Sequence, residues 1–121
     1  MSERKKMNAQ APENVLDRQL ALSRVGGDQQ LLREIAVLFI QDCPRALAEI
    51  QEAVTRGDAA NLENAAHGLK GSVANFGARD AVEAAFRLEQ MGRANQLSEA
   101  EGMLRKLESA LSAVCAELAT L

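Results

Sequence analysis

From Leu104 to the end of the chain, Leu107, Leu111, Val114, Leu118 and Leu121 follow one another at alternating spacings of three and four. That spacing draws one apolar stripe along a helix and matches no face of a strand. Sustained over this length, it favours a shallow crossing angle between helices, the geometry of a four-helix bundle. A stripe on one helix must be buried against others, and three upstream segments carry matching stripes. Leu32, Ile35, Phe39, Cys43, Leu47, Ile50 and Val54 mark a helix over 29–56. Leu62, Ala66, Leu69, Val73 and Phe76 mark a second over 59–76, and Val82, Ala85, Phe86 and Leu88 are available for burial in a third over 78–91. The chain has three Phe and neither Trp nor Tyr, so its core is built from Leu, Ile, Val and Ala, which suits helix-on-helix packing.

The punctuation between these stripes is specific. A short helical piece over 15–23, with Val15, Leu16, Leu20 and Leu22, ends at Gly26-Gly27. Asp28 and Asp58 stand where N-caps belong, and Gly57 stands where a helix closes. Pro44 falls inside the 29–56 stripe, which continues in phase, so a kink near 40–44 is expected rather than two helices. Gly77 breaks the second helix and Gly92 is expected to end the third. Ser98-Glu99-Ala100-Glu101 has the spacing of a capping box, which places the start of the last helix there. Short loops between long helices make sequential neighbours antiparallel. The expected architecture is all-α: an antiparallel up-down-up-down four-helix bundle over 14–121, with a short N-terminal helical extension. Residues 1–13 are polar, contain Pro12 and read as a flexible tail. At 121 residues the chain fits one domain with one core.

Several functions are disfavoured at this level. A net charge of −3 argues against nucleic-acid binding as the main task. No apolar run approaches membrane-spanning length, and no apolar core follows the basic Arg4-Lys5-Lys6, so neither a span nor a signal peptide is expected. Cys43 and Cys115 lie inside helical patterns and read as free thiols of a reducing cytoplasm. One histidine and two distant cysteines make no ligand cluster, and no metal or cofactor is expected on this chain.

The single histidine, His67, sits in Ala65-Ala66-His67-Gly68-Leu69-Lys70-Gly71-Ser72. At 100° per residue it points about 140° from the centre of its helix's apolar stripe. It shares the outward face with Ala60, Asn64, Gly71 and Ala74, with Lys70 and Glu63 on the flank. Glycine inside a helix costs about 1 kcal/mol relative to alanine. Gly71, four residues on, keeps the face clear, whereas Gly68 points sideways and can serve close packing of a neighbouring helix. Two readings of His67 stand at this point: a solvated surface residue without chemistry, or a ring presented on a flat surface that a partner can approach. Lys70 divides the same way, between a solvated charge and a functional one. Asn64 is open to a role beside the partner or beside the imidazole.

The run His67-Gly68-Leu69-Lys70-Gly71-Ser72, followed by Phe76-Gly77-Ala78, resembles the signature of the histidine-containing phosphotransfer (HPt) domain family. The resemblance extends upstream through Arg24-Val25-Gly26-Gly27-Asp28 and Leu38-Phe39-Ile40-Gln41-Asp42-Cys43-Pro44, and downstream through Leu88-Glu89-Gln90-Met91-Gly92, covering about residues 15–118. It implies a four-helix bundle that carries a phosphoryl group on one exposed histidine, taken from a receiver-domain aspartate and passed to another in a multistep phosphorelay. On that basis His67 would be the phospho-acceptor, and Lys70 would neutralise phosphoryl oxygens. Gly71 would keep the face clear for the receiver, and Leu69, Ser72 and Gly77 would support the motif. Implied partners are response-regulator receiver domains and a hybrid sensor histidine kinase, with Mg²⁺ on the receiver. A bacterial, cytoplasmic, monomeric phosphoprotein that binds neither nucleic acid nor membrane is expected.

Residue chemistry agrees with that implication. Phosphoryl transfer asks mainly for positioning and charge stabilisation. An ordinary imidazole is mostly neutral at pH 7, which leaves one ring nitrogen able to attack. The chain carries neither a Gly-rich phosphate loop nor an acidic cluster suited to Mg²⁺, so a carrier is expected and an autonomous kinase is not. Three other readings remain. An HPt-like docking module would bind a receiver or kinase without carrying phosphate, but has no need of His67. The phospho-acceptor module of a chemotaxis-type kinase would share His67 but expects dimerisation and ATP-binding regions after it. A haem or metal bundle would need His67 turned inward toward Met91 or Met103.

Overall fold

Aspartate caps set the helix starts. A computed structural model describes residues 15–121, and the 1–13 tail lies outside the described residues. Asp17 Oδ1 accepts the Leu20 N–H at 3.0 Å and opens α1, Arg18–Arg24. Asp28 Oδ1 accepts the Leu31 N–H at 3.1 Å and opens α2, Gln29–Arg56. Asp58 does the same for Asn61 at 3.1 Å and opens α3, Ala59–Ala74. Each satisfies one amide that a helix start otherwise leaves unpaired. Two further helices follow, α4 over Arg79–Ala94 and α5 over Ala100–Leu118.

The four long helices form a closed ring. α2 packs on α3, α3 on α4, α4 on α5 and α5 back on α2, while α1 touches α2. This is the anticipated up-down-up-down bundle with its N-terminal extension. Ile50, Leu62, Val73, Leu88, Leu107, Leu111 and Val114 are the largest fully buried side chains, and every long helix contributes at least one. Burying a residue of this kind stabilises by about 1.5–3 kcal/mol. Phe39 and Phe76 meet edge-to-face at 5.4 Å and tie α2 to the end of α3. None of the helices is long and apolar enough to cross a membrane among the described residues.

Pro44 lies inside a single uninterrupted α2, as its in-phase stripe requires. Gly77 breaks the chain after α3 with φ +64°, and a Cβ there would lie 2.5 Å from that of Asp17, so the N-terminal extension seats directly on this turn. The Asp17 N–H also donates to the Phe76 carbonyl at 2.9 Å. Cys43 is buried and Cys115 half-buried, and both are free thiols. Burial first, and the adjacent Cys115 second, push the Cys43 thiol up to about 12, so it stays protonated at neutral pH.

Several boundaries depart from the sequence reading. The helical piece expected over 15–23 is interrupted at Leu16-Asp17: Val15 is helical, and Asp17 then caps a helix that starts at Arg18. α3 closes at Ala74, two residues early, in the turn that leads to Gly77. Ser98 caps nothing: α5 begins at Ala100 without a side-chain cap, and the Ala100 N–H goes to the Leu97 carbonyl at 3.1 Å. Gly92 does not end α4, which runs on to Ala94 and stops at Asn95 in the left-handed conformation. Instead Gly92 is where α4 meets α3. A Cβ at Gly92 would lie 2.6 Å from the backbone N of Glu63 and 2.7 Å from the carbonyl O of Ala59. Gly68, read as a candidate packing glycine, has open space where its Cβ would be. Phe86, counted among the residues available for burial, is instead 38% exposed.

Candidate functional site

α3 places His67 outward. Its stripe of Leu62, Ala66, Leu69 and Val73 is fully committed to the core, which turns the opposite side to solvent. The His67 side chain is 68% exposed. Ala60, Asn64 and Gly71 are exposed and Ala74 is half-buried, so the small-residue face read from the sequence exists as a surface. A Cβ at Gly71 would meet nothing within 4 Å. Asn64 makes no hydrogen bond to the imidazole among the described residues; it lines a shallow groove between α2 and α3 with Asp42, Arg45, Glu49, Gly68 and Ser72. Leu69 is a core residue, and the Ser72 hydroxyl donates back to the Gly68 carbonyl at 3.3 Å.

The close α3–α4 seam brings a buried acid under the ring. Glu89, on α4, has a side chain only 4% exposed. Its Oε2 lies 3.0 Å from His67 Nδ1 and accepts from the Arg93 guanidinium at 3.1 Å. Its Oε1 has the Lys70 ammonium at 2.7 Å. Arg93 also donates to Glu63 at 2.9 Å across the seam. An isolated buried carboxylate would be strongly disfavoured, and these cations compensate it. The Lys70 ammonium holds the Glu89 carboxyl below its ordinary range; burial opposes this, and the His67 ring N–H reinforces it.

An ionised carboxylate only accepts hydrogen bonds. Its contact with Nδ1 therefore fixes the neutral imidazole as the tautomer protonated at Nδ1, and leaves the Nε2 lone pair free. Lys70 is 26% exposed and its Nζ also sits 5.1 Å from the centroid of the Phe86 ring.

His67 and Lys70 are thus brought together through a residue that sequence reasoning did not select. Glu89 and Arg93 went unassigned, yet a signal was there. Glu89 interrupts the buried run Ala85, Leu88 and Gly92 on one face of α4, with Arg93 one turn further. A carboxylate within a core stripe demands cationic partners.

The family model described as the Hpt domain matches residues 34–117. The chain belongs to the Hpt domain family. Hpt domains are phosphocarriers rather than autonomous kinases, and they interact with receiver domains and kinases in phosphorelays. Among solved structures, histidine-containing phosphotransfer protein B of Pseudomonas aeruginosa PAO1 is similar with a TM-score of 0.81 and 24% identity, over 87% of this chain and 91% of that one. At that identity the likeness speaks for the fold. No curated protein sequence matches the chain.

Proposed function

We propose that His67 is the phosphoryl acceptor of a phosphorelay carrier, charged by a receiver-domain aspartyl phosphate and discharged to another receiver. The observation that carries this reading is the Glu89–His67 contact on an open helix face: an exposed ring, held by a buried carboxylate at Nδ1, with Nε2 unencumbered. In the forward step the Nε2 lone pair attacks phosphorus, an N–P bond forms, the acyl O–P bond breaks, and the receiver carboxylate leaves with the electron pair. The product ring is an N-phosphoryl imidazolium whose Nδ1–H still donates to Glu89. No proton moves, so the reverse attack by a second carboxylate needs none either. Lys70 supplies positive charge beside the equatorial oxygens, the main demand of this chemistry. Mg²⁺ is assigned to the receiver, and no residue of this chain is assigned to hold it.

Ala60, Asn64, Gly71 and Ala74 form the proposed docking face. It lets the receiver's acidic site come within bonding distance of Nε2. Leu69, Ser72 and Gly77 hold α3 and its end in place. A cytoplasmic, monomeric carrier follows from this reading.

The direct test is transfer from a phosphorylated receiver domain to the wild type and to His67→Gln. Acid-labile, alkali-stable phosphate is expected on the wild type alone, with the variant folded because position 67 faces solvent. A wild type that binds receivers but takes no label would make the chain a docking module instead.

A further inference from the structure

Phe86 is a large apolar side chain that the bundle leaves 38% exposed, one turn before Glu89 on α4. Its ring is not a core element, yet it has a definite partner. The Lys70 ammonium lies 5.1 Å from its centroid, while the same nitrogen is 2.7 Å from Glu89 Oε1. Two groups of opposite character therefore hold one cation. The carboxylate attracts Lys70 and neutralises it. The ring face attracts a cation through its quadrupole without neutralising it, and accepts no conventional hydrogen bond that would use up an N–H donor. Glu89 fixes the ammonium at one point, while the ring limits how a flexible four-carbon stem can swing about it.

We infer that Phe86 is a positioning residue for Lys70: its ring holds the ammonium at the rim of the site, on the His67 side of α4, with N–H donors free for phosphoryl oxygens. This inference rests on the phosphocarrier reading of His67. Because Phe86 acts through Lys70, it sets the rate of transfer within the complex and not the affinity for the receiver.

The test is single-turnover transfer from a phosphorylated receiver across a range of concentrations of this protein. The variants are Phe86→Leu, which keeps apolar bulk without a π face, and Phe86→Tyr, which keeps the face. Phe86→Leu should lower the saturated rate about two- to fivefold, the range expected of a partly exposed cation–π contact, with half-saturation unchanged. Phe86→Tyr should recover most of the rate. In a Lys70→Ala background Phe86→Leu should have no further effect. NMR supplies a readout independent of activity: the Lys70 ε-methylene protons should be shifted upfield by the ring in the wild type and Phe86→Tyr, and not in Phe86→Leu. A raised half-saturation at unchanged saturated rate, or effects of Phe86→Leu and Lys70→Ala that multiply, would overturn the inference. A wild type that transfers while Phe86→Leu matches it overturns the inference alone. A wild type that takes no phosphoryl group overturns the carrier reading, and this inference with it.

Discussion

The seam between α3 and α4 and the outer face of α3 both carry glycine inside a helix, for opposite reasons. At the seam, Gly92 has backbone atoms of α3 closer than any Cβ tolerates. On the outer face, a Cβ at Gly71 would have nothing within 4 Å. The first glycine is required by what is present, whereas open space at Gly71 suits the proposed approach of a receiver. The two regions depend on each other. Close approach at Gly92 brings the α4 stripe near enough for Glu89 to reach under His67, and the bare face leaves the other side of that ring accessible.

The contrast is broken most forcefully at Gly92. A Cβ there meets backbone rather than the end of a flexible side chain, so α3 and α4 must move apart. Gly92→Ala should lower stability by about 2–3 kcal/mol despite alanine's better helix propensity. Urea denaturation measures this, and phosphoryl loading should fall as Glu89 is displaced from His67. A neutral or stabilised Gly92→Ala would show that the seam does not need glycine.

The difference between these glycines also marks where sequence stops being informative. Helix number, order and antiparallel topology were legible because the apolar stripes of α2, α3 and α5 are long and in phase. Two of the helix starts and one helix end were legible, because Asp28 and Asp58 cap as aspartates do and Gly57 closes α2. His67 and its small-residue face followed from helical geometry alone, and the family motif agreed. What failed was tertiary. Gly92 looked like a stop because glycine near the end of a stripe often is one, whereas its role depends on a neighbouring helix 30 residues away in sequence. Ser98 had the spacing of a cap, but the Leu97 carbonyl took the Ala100 amide first. Glu89 escaped because its meaning lies in cations on α3, and pairwise distances between helices are not written in a periodicity. Phe86 was assigned to the core by its type, and exposure is a property of the packed bundle.

Glu89 sharpens the comparison next, since it is what the seam supplies to the face. Its carboxyl titrates below its ordinary range in the folded chain, so the stability it contributes is fully present above the unfolded value and is lost as pH falls through the folded one. Stability of the wild type should therefore decline as pH drops below about 4.3, the ordinary glutamate value. Glu89→Gln should show a shallower decline over that window. At pH 7 Glu89→Gln should cost about 1–2 kcal/mol, because Lys70 and Arg93 lose their shared anion. Thermal melts across pH 3–7, as roughly the span of carboxylate titration, test both statements. Parallel wild-type and variant curves would mean that Glu89 is not the carboxylate that the site stabilises.

Gly71 gives the smallest change in stability and the cleanest separation of the two regions. Its Cβ direction is open, so Gly71→Ala should gain about 0.5–1 kcal/mol from helix propensity with no packing cost. The same methyl group stands on the face that the receiver is proposed to cover, one turn from His67. Transfer should slow modestly in Gly71→Ala and further in Gly71→Gln, whose longer side chain is equally free to form helix. The sign is the point: more stable and slower at Gly71, less stable and slower at Gly92. A Gly71→Gln variant that is more stable and transfers as fast as wild type would detach the bare face from function. The glycine would then be a tolerated cost in α3 rather than an opening for a partner.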